Sequence, residues 1–106
     1  MITAIVKFNV PHNIKRTEIE TNMRKIAPNF KGVNGLIRKN FIIDDSNQIA
    51  GGVYTWKSLR EANKFYAQGG KWRKSINDLY GADPEIALFD TPILVDNSSD
   101  EILGSS

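Results

Sequence analysis

Two stretches of the chain read as β-strands that are apolar on both faces, and this constrains the fold more than any other feature. In Leu36–Ile43 the residues Ile37, Phe41 and Ile43 alternate with Leu36 and Ile42, and near the C-terminus Ile86 and Leu88 alternate with Ala87 and Phe89. Strands of that kind need apolar cover above and below. The sequence predicts only two long helices in 106 residues, so one sheet face is left for something outside the chain. A second copy of the chain is the simplest cover. A chain this short also leaves roughly a third or more of its unfolded-state surface exposed after folding, and an interface between copies adds stability. The expectation is a homodimer.

The other elements follow from periodicity and turn chemistry. Ile2, Ala4, Val6, Phe8 and Val10 alternate with Thr3, Ile5, Lys7 and Asn9, which predicts a first strand over Ile2–Val10. Pro11, His12 and Asn13 end it. Thr17 and Glu20 have the spacing of a capping box, and Ile19, Met23 and Ile26 share one face of a helix that should stop near Pro28. The strand Leu36–Ile43 runs into Asp44-Asp45-Ser46-Asn47, and another begins at Gln48 or Ile49 and reaches Trp56, which reads as an antiparallel hairpin. Ser58 and Glu61 repeat the capping-box spacing before a second helix carrying Leu59, Ala62, Phe65 and Tyr66, with Gly69-Gly70 at its end. Trp72, Ile76, Leu79 and Tyr80 predict a short third helix over Lys71–Tyr80, closed by Gly81. The last strand should run from Pro84 or Glu85 to Asp90, with Pro92 marking an edge or bend before Ile93-Leu94-Val95. From Asn97 the composition is Ser, Asp and Gly apart from Ile102-Leu103, so a single domain over residues 1–96 and a frayed polar tail over 97–106 are expected. The order β-α-β-β-α-β is that of the ferredoxin-like split βαβ unit, an α+β fold with a four-stranded antiparallel sheet.

Composition narrows the chemistry. With no Cys and one His, the chain offers no disulfide framework, no thiolate nucleophile or metal site, and no two-histidine iron site of its own. A net charge of +2 is too small a surplus to point to nucleic acid. The N-terminal Ile2–Lys7 lacks the order of a secretory signal, and no stretch approaches the roughly 20 apolar residues of a membrane span, so a cytoplasmic protein is expected. Gly51-Gly52 lies inside a strand pattern without the following helix of a phosphate loop, and marks a bulge or a close backbone contact.

The segments Gly35-Leu36-Ile37-Arg38-Lys39 and Ile49-Ala50-Gly51-Gly52-Val53-Tyr54, then Ala62 and Tyr66 on a helix, then Phe89-Asp90, resemble the YdhR-type mono-oxygenases of the dimeric α+β-barrel superfamily. The resemblance implies two sheets packed face to face, with a pocket between the helices and the sheet of each chain. Haem-degrading members of that superfamily depend on an asparagine in the first strand, a tryptophan in the second helix and an iron-ligating histidine. Asn9 stands at the first position, Phe65 at the second, and no histidine follows His12, so the iron ligand is missing.

The candidate site residues are few. Asn9 interrupts a good strand and could donate a hydrogen bond; its alternative is a polar residue facing water. An imidazole is the side chain best suited to moving a proton in a neutral solution, which makes His12 the candidate base, against an ordinary solvated loop histidine. Trp72, Phe65 and Tyr66 could line a cavity for a flat ligand or simply fill the core. Arg38 and Lys39 lie on opposite faces of one strand, so only one of them can face a pocket. On this reading Asn9 or Arg38 holds an oxyanion, His12 or Tyr66 handles a proton, and Trp72 and Phe65 stack on the substrate. The substrate expected is a small apolar or aromatic molecule oxygenated without a bound cofactor or metal. A non-catalytic small-molecule-binding protein and an isomerase or cyclase of the same fold are the alternatives.

Overall fold

The computed structural model describes residues 1–67 and 70–104. Four strands, β1 (Ile2–Asn9), β2 (Leu36–Asp44), β3 (Ile49–Trp56) and β4 (Glu85–Asp90), form one sheet in the order β2-β3-β1-β4. All three neighbouring pairs are antiparallel, which is the expected ferredoxin-like arrangement. Helices α1 (Arg16–Ile26), α2 (Leu59–Tyr66) and α3 (Lys71–Tyr80) complete the domain.

The alternation in β1 decides which face the helices cover. Ile2, Ala4, Val6 and Phe8 are buried, and so are Ala50, Tyr54 and Trp56 beside them on β3. Ile19 of α1, Ala62 and Tyr66 of α2 and Ile76 and Tyr80 of α3 pack on this face. The opposite face carries Ile5, Ile42, Val53, Ala87 and Phe89, with Phe89 left 53% exposed. No helix of the described residues covers that side, as the two-sided strand pattern implied.

Several local expectations are met by identifiable chemistry. The Ser58 Oγ accepts from the Glu61 amide at 3.4 Å and donates to its carboxylate at 3.0 Å, fixing the start of α2. Gly81 takes φ +66° and its amide donates to the Asn77 carbonyl at 2.8 Å, ending α3. In the β2–β3 turn the Asp44 carboxylate accepts from the Asn47 side chain at 2.9 Å, from Ser46 at 2.9 Å and from the Asn47 amide, which together hold its carboxyl below the usual range. Gly51 marks a close approach: a Cβ there would lie 1.8 Å from the Val6 carbonyl oxygen. The β1–β3 register is unbroken, and the irregularity lies instead at Leu36–Arg38 of β2.

Three local expectations need correction. Thr17 is not a cap, because α1 begins one residue earlier at Arg16 after an extended Lys15 that makes no side-chain cap bond. Helix α2 ends at Tyr66, where Ala67 turns extended, rather than at the glycine pair; Gly69 lies outside the described residues. The segment after Asn97 is a turn followed by a strand, since β5 (Ile93–Asp96) and β6 (Glu101–Gly104) pair as an antiparallel hairpin. Only 105 and 106 of the expected tail lie outside the described residues. Val95 and Ile102 are register partners and, with Ile93, point to one side of this hairpin, all more than 60% exposed. No helix of the described residues is long and apolar enough to cross a membrane.

Candidate active site

The helix-covered core has two halves. One gathers round Tyr54, Trp56 and Tyr66, the other round Phe8, Ile76 and Tyr80, and Trp72 packs against both. A cavity of about 430 Å³ opens where they meet, a size suited to a small organic molecule. Its floor is β1, β2 and β3; its walls come from α1, α2, α3 and the 3-10 turn Ala27–Phe30 that follows α1. The lining is apolar and aromatic except for Asn29, Lys39, Lys71 and Ser75 and the Tyr54 and Tyr80 phenols.

Lys39 is the distinctive member. Its Nζ lies 3.4 Å from the ring centre of Phe30, 3.9 Å from Phe41 and 4.6 Å from Tyr54. Burial pulls the amine from its ordinary 10.5 down to about 7, against the attraction of three ring faces for the ammonium form. Lys39 sits opposite Tyr54 in the β2–β3 register, and Phe41 sits opposite Gly52. A Cβ on Gly52 would stand 3.0 Å from the Tyr54 ring and 3.1 Å from Lys39 Cε, so the glycine leaves room for the lysine chain.

Two tryptophan–tyrosine pairs brace the site. The Trp72 indole N–H donates to the Tyr54 hydroxyl at 3.1 Å, and the Trp56 N–H donates to the Tyr66 hydroxyl at 3.1 Å. Burial pushes both phenols above their usual range, with the indole donors acting weakly the other way, so neither is suited to proton transfer near neutrality.

The structure brings together two of the six expected residues. Trp72 and Phe65 line the cavity with their ring centres 5.7 Å apart. Tyr66 does not: it is 6% exposed, behind them, with its hydroxyl engaged by Trp56. Asn9 is exposed and, as an odd-numbered residue of β1, lies on the helix-free face by a small cleft with Asp83 and Glu85. His12 is exposed in the loop after β1 and borders a separate cleft with Arg16 and Asp45. Arg38 faces away from the cavity and forms an ion pair with the buried Asp96 at the end of β5. Lys39, the other member of the pair, faces the cavity. The signal for it was present, since the alternation that aligns Phe41 with Ile43 also aligns Lys39 with them. Among the described residues no three His, Cys, Asp or Glu side chains gather in a group that could hold a metal ion.

Solved structures share this architecture. A "putative antibiotic biosynthesis monooxygenase" from Deinococcus radiodurans superposes with a TM-score of 0.67 at 11% identity, covering 91% of this chain and 97% of that one. The N63A mutant of SnoaB, a cofactor-independent oxygenase from Streptomyces nogalater, gives 0.62 at 16% identity, covering 85% and 91%. A conserved protein from Methanosarcina mazei Go1 gives 0.57 at 12%, covering 86% and 93%. At these identities the likeness is one of fold. No curated protein matches the sequence. A family profile, however, matches residues 5–89, which run from within β1 to within β4 and include the cavity floor and helices α1, α2 and α3, and by that match the chain belongs to the family described as "Putative mono-oxygenase ydhR".

Proposed function

We propose that this chain is a mono-oxygenase that works without a bound cofactor on a small aromatic substrate carrying an ionisable C–H or O–H, and that it acts as a homodimer joined through the helix-free sheet face. The observation that carries this reading is the 430 Å³ cavity, aromatic on its walls and holding among three rings an amine that has no hydrogen-bond or ion-pair partner among the described residues. Membership of the mono-oxygenase family supports it, as does the shared fold with a protein described as a cofactor-independent oxygenase.

An anthrone-type substrate would lie between Trp72, Phe65 and the sheet. Its acidic C–H loses a proton to the neutral Lys39 amine, and the resulting ammonium pairs with the enolate oxygen in a site shielded from water. The electron-rich carbanion passes one electron to dioxygen, the two radicals join as a peroxide anion that takes the proton back from the Lys39 ammonium, and the hydroperoxide loses its remaining C–H hydrogen with hydroxide as water to leave a ketone. One oxygen atom enters the product and the other leaves as water, so no external reductant is required.

Oxygen-electrode rates with an anthrone test the reading. Wild type should consume one dioxygen per ketone formed, and Lys39→Met should lower the rate by about a hundredfold, as loss of one oxyanion donor does elsewhere. Trp72→Ala should chiefly weaken binding, since stacking is made in ground and transition states alike. An absence of oxygen uptake together with a retained small molecule in the native mass spectrum is the result a non-catalytic binding protein would give, and it would replace this proposal.

A further inference from the structure

We propose that the Lys39 amine is also a nucleophilic site, capturing small aromatic aldehydes and ketones inside the cavity as a protonated imine. Four observations point to it. The amine lies at the wall of a cavity large enough for a two-ring ligand. Among the described residues it has neither a hydrogen-bond nor an ion-pair partner, only ring faces at 3.4, 3.9 and 4.6 Å. The gap at Gly52 lets the side chain reach in without a Cβ against its Cε. Burial keeps a large share of the amine neutral near pH 7, and desolvation in an apolar pocket is a recognised way to activate a lysine.

The chemistry needs no further reactant. The Nζ lone pair attacks the carbonyl carbon, a C–N bond forms, and the C=O π pair moves to oxygen, which takes a proton from water. Nitrogen then gives up a proton, the hydroxyl takes up another and leaves as water as the C–O bond breaks, and the nitrogen lone pair closes the C=N bond of the iminium. Amine, carbonyl and one proton thus yield iminium and water, with no change of oxidation state. The same Phe30, Phe41 and Tyr54 faces that sit round the ammonium would hold the iminium charge, while the aromatic body of the ligand meets Trp72 and Phe65. The other titratable groups lining the cavity are Tyr54 on β3 and Lys71 and Tyr80 on α3. None of the lining residues is a carboxylate that could trap the amine as a salt bridge.

The test is reductive trapping with 2-naphthaldehyde and sodium cyanoborohydride, which delivers hydride to the iminium and fixes the adduct. Intact-mass analysis should show one adduct per chain, peptide mapping should place it on Lys39, and it should form about a hundredfold faster than at surface lysines, which are almost wholly protonated at neutral pH. The trapping rate should rise with a midpoint near pH 7. Lys39→Arg, which keeps the charge, and Lys39→Met should both lose the fast adduct while retaining the native circular-dichroism spectrum. Labelling spread over the lysines, an adduct on Lys71, a midpoint near the ordinary lysine value, or no adduct would overturn the assignment. Because the readout requires no oxygen, it stands or falls separately from the oxygenase reading.

Discussion

Lys39 imposes a cost that can be measured. In the folded chain its amine is held at about 7, against 10.5 in the unfolded chain, so between these values the unfolded state binds more protons. Stability from this group therefore rises as pH increases from about 7 to 10.5, and the penalty for burying the charge is complete below pH 7. Lys39→Met, which replaces a buried charge by an apolar side chain, should raise the urea midpoint most at pH 6 and little at pH 10. A difference independent of pH would show that the amine is not perturbed. At Tyr66 the expectation is the reverse. Removing its hydroxyl leaves the Trp56 indole N–H, in a side chain with 0% exposure, without its acceptor. Tyr66→Phe should thus lower stability by about 1–3 kcal/mol in chemical denaturation, whereas a hydroxyl free of partners would cost almost nothing.

At the scale of elements, two stretches with the same spacing behave differently. Ser58-x-x-Glu61 caps α2, while Thr17-x-x-Glu20 lies within the first turn of α1, where Thr17 supplies a carbonyl that accepts from the Thr21 hydroxyl at 2.8 Å. Ser58→Ala should therefore cost about 1 kcal/mol in thermal or urea unfolding, and Thr17→Ala less than about 0.5 kcal/mol. Equal losses would mean that both boxes form. The spacing alone could not separate them, because a capping box depends on where the backbone leaves the extended region, and Pro11 to Lys15 set that point for α1. The C-terminal hairpin was missed for a related reason. Asn97 to Asp100 read as a polar tail, yet they are the turn that lets Val95 face Ile102, and a four-residue strand carries too little periodicity to be seen without its partner.

For the whole molecule, the open question of cover becomes a prediction. Ile42, Val53 and Phe89 lie on the helix-free face, and the proposed occupant is the same face of a second chain. Sedimentation at micromolar concentration should give about twice the 11.9 kDa chain mass. Phe89→Glu should shift it to the single-chain mass with the circular-dichroism spectrum retained. A wild-type species of single-chain mass would remove the dimer from the proposed function.

The sequence by itself determined the β-α-β-β-α-β order of elements along the chain, the helix at Lys71–Tyr80 and the faces of β1, because periods of two and of about 3.6 are local and survive in any fold that uses them. It also contained the aromatic lining, since Phe65 and Trp72 fall on inward helix faces. Tertiary structure decided the rest of the site. Whether Arg38 or Lys39 meets the cavity depends on which face of β2 the helices cover, and that choice is fixed by burial of Ile2, Ala4, Val6 and Phe8 two strands away in the sheet. The altered acidity of Lys39 exists only once Phe30 of the 3-10 turn and Tyr54 of β3 join Phe41 of its own strand round one amine and exclude water from it.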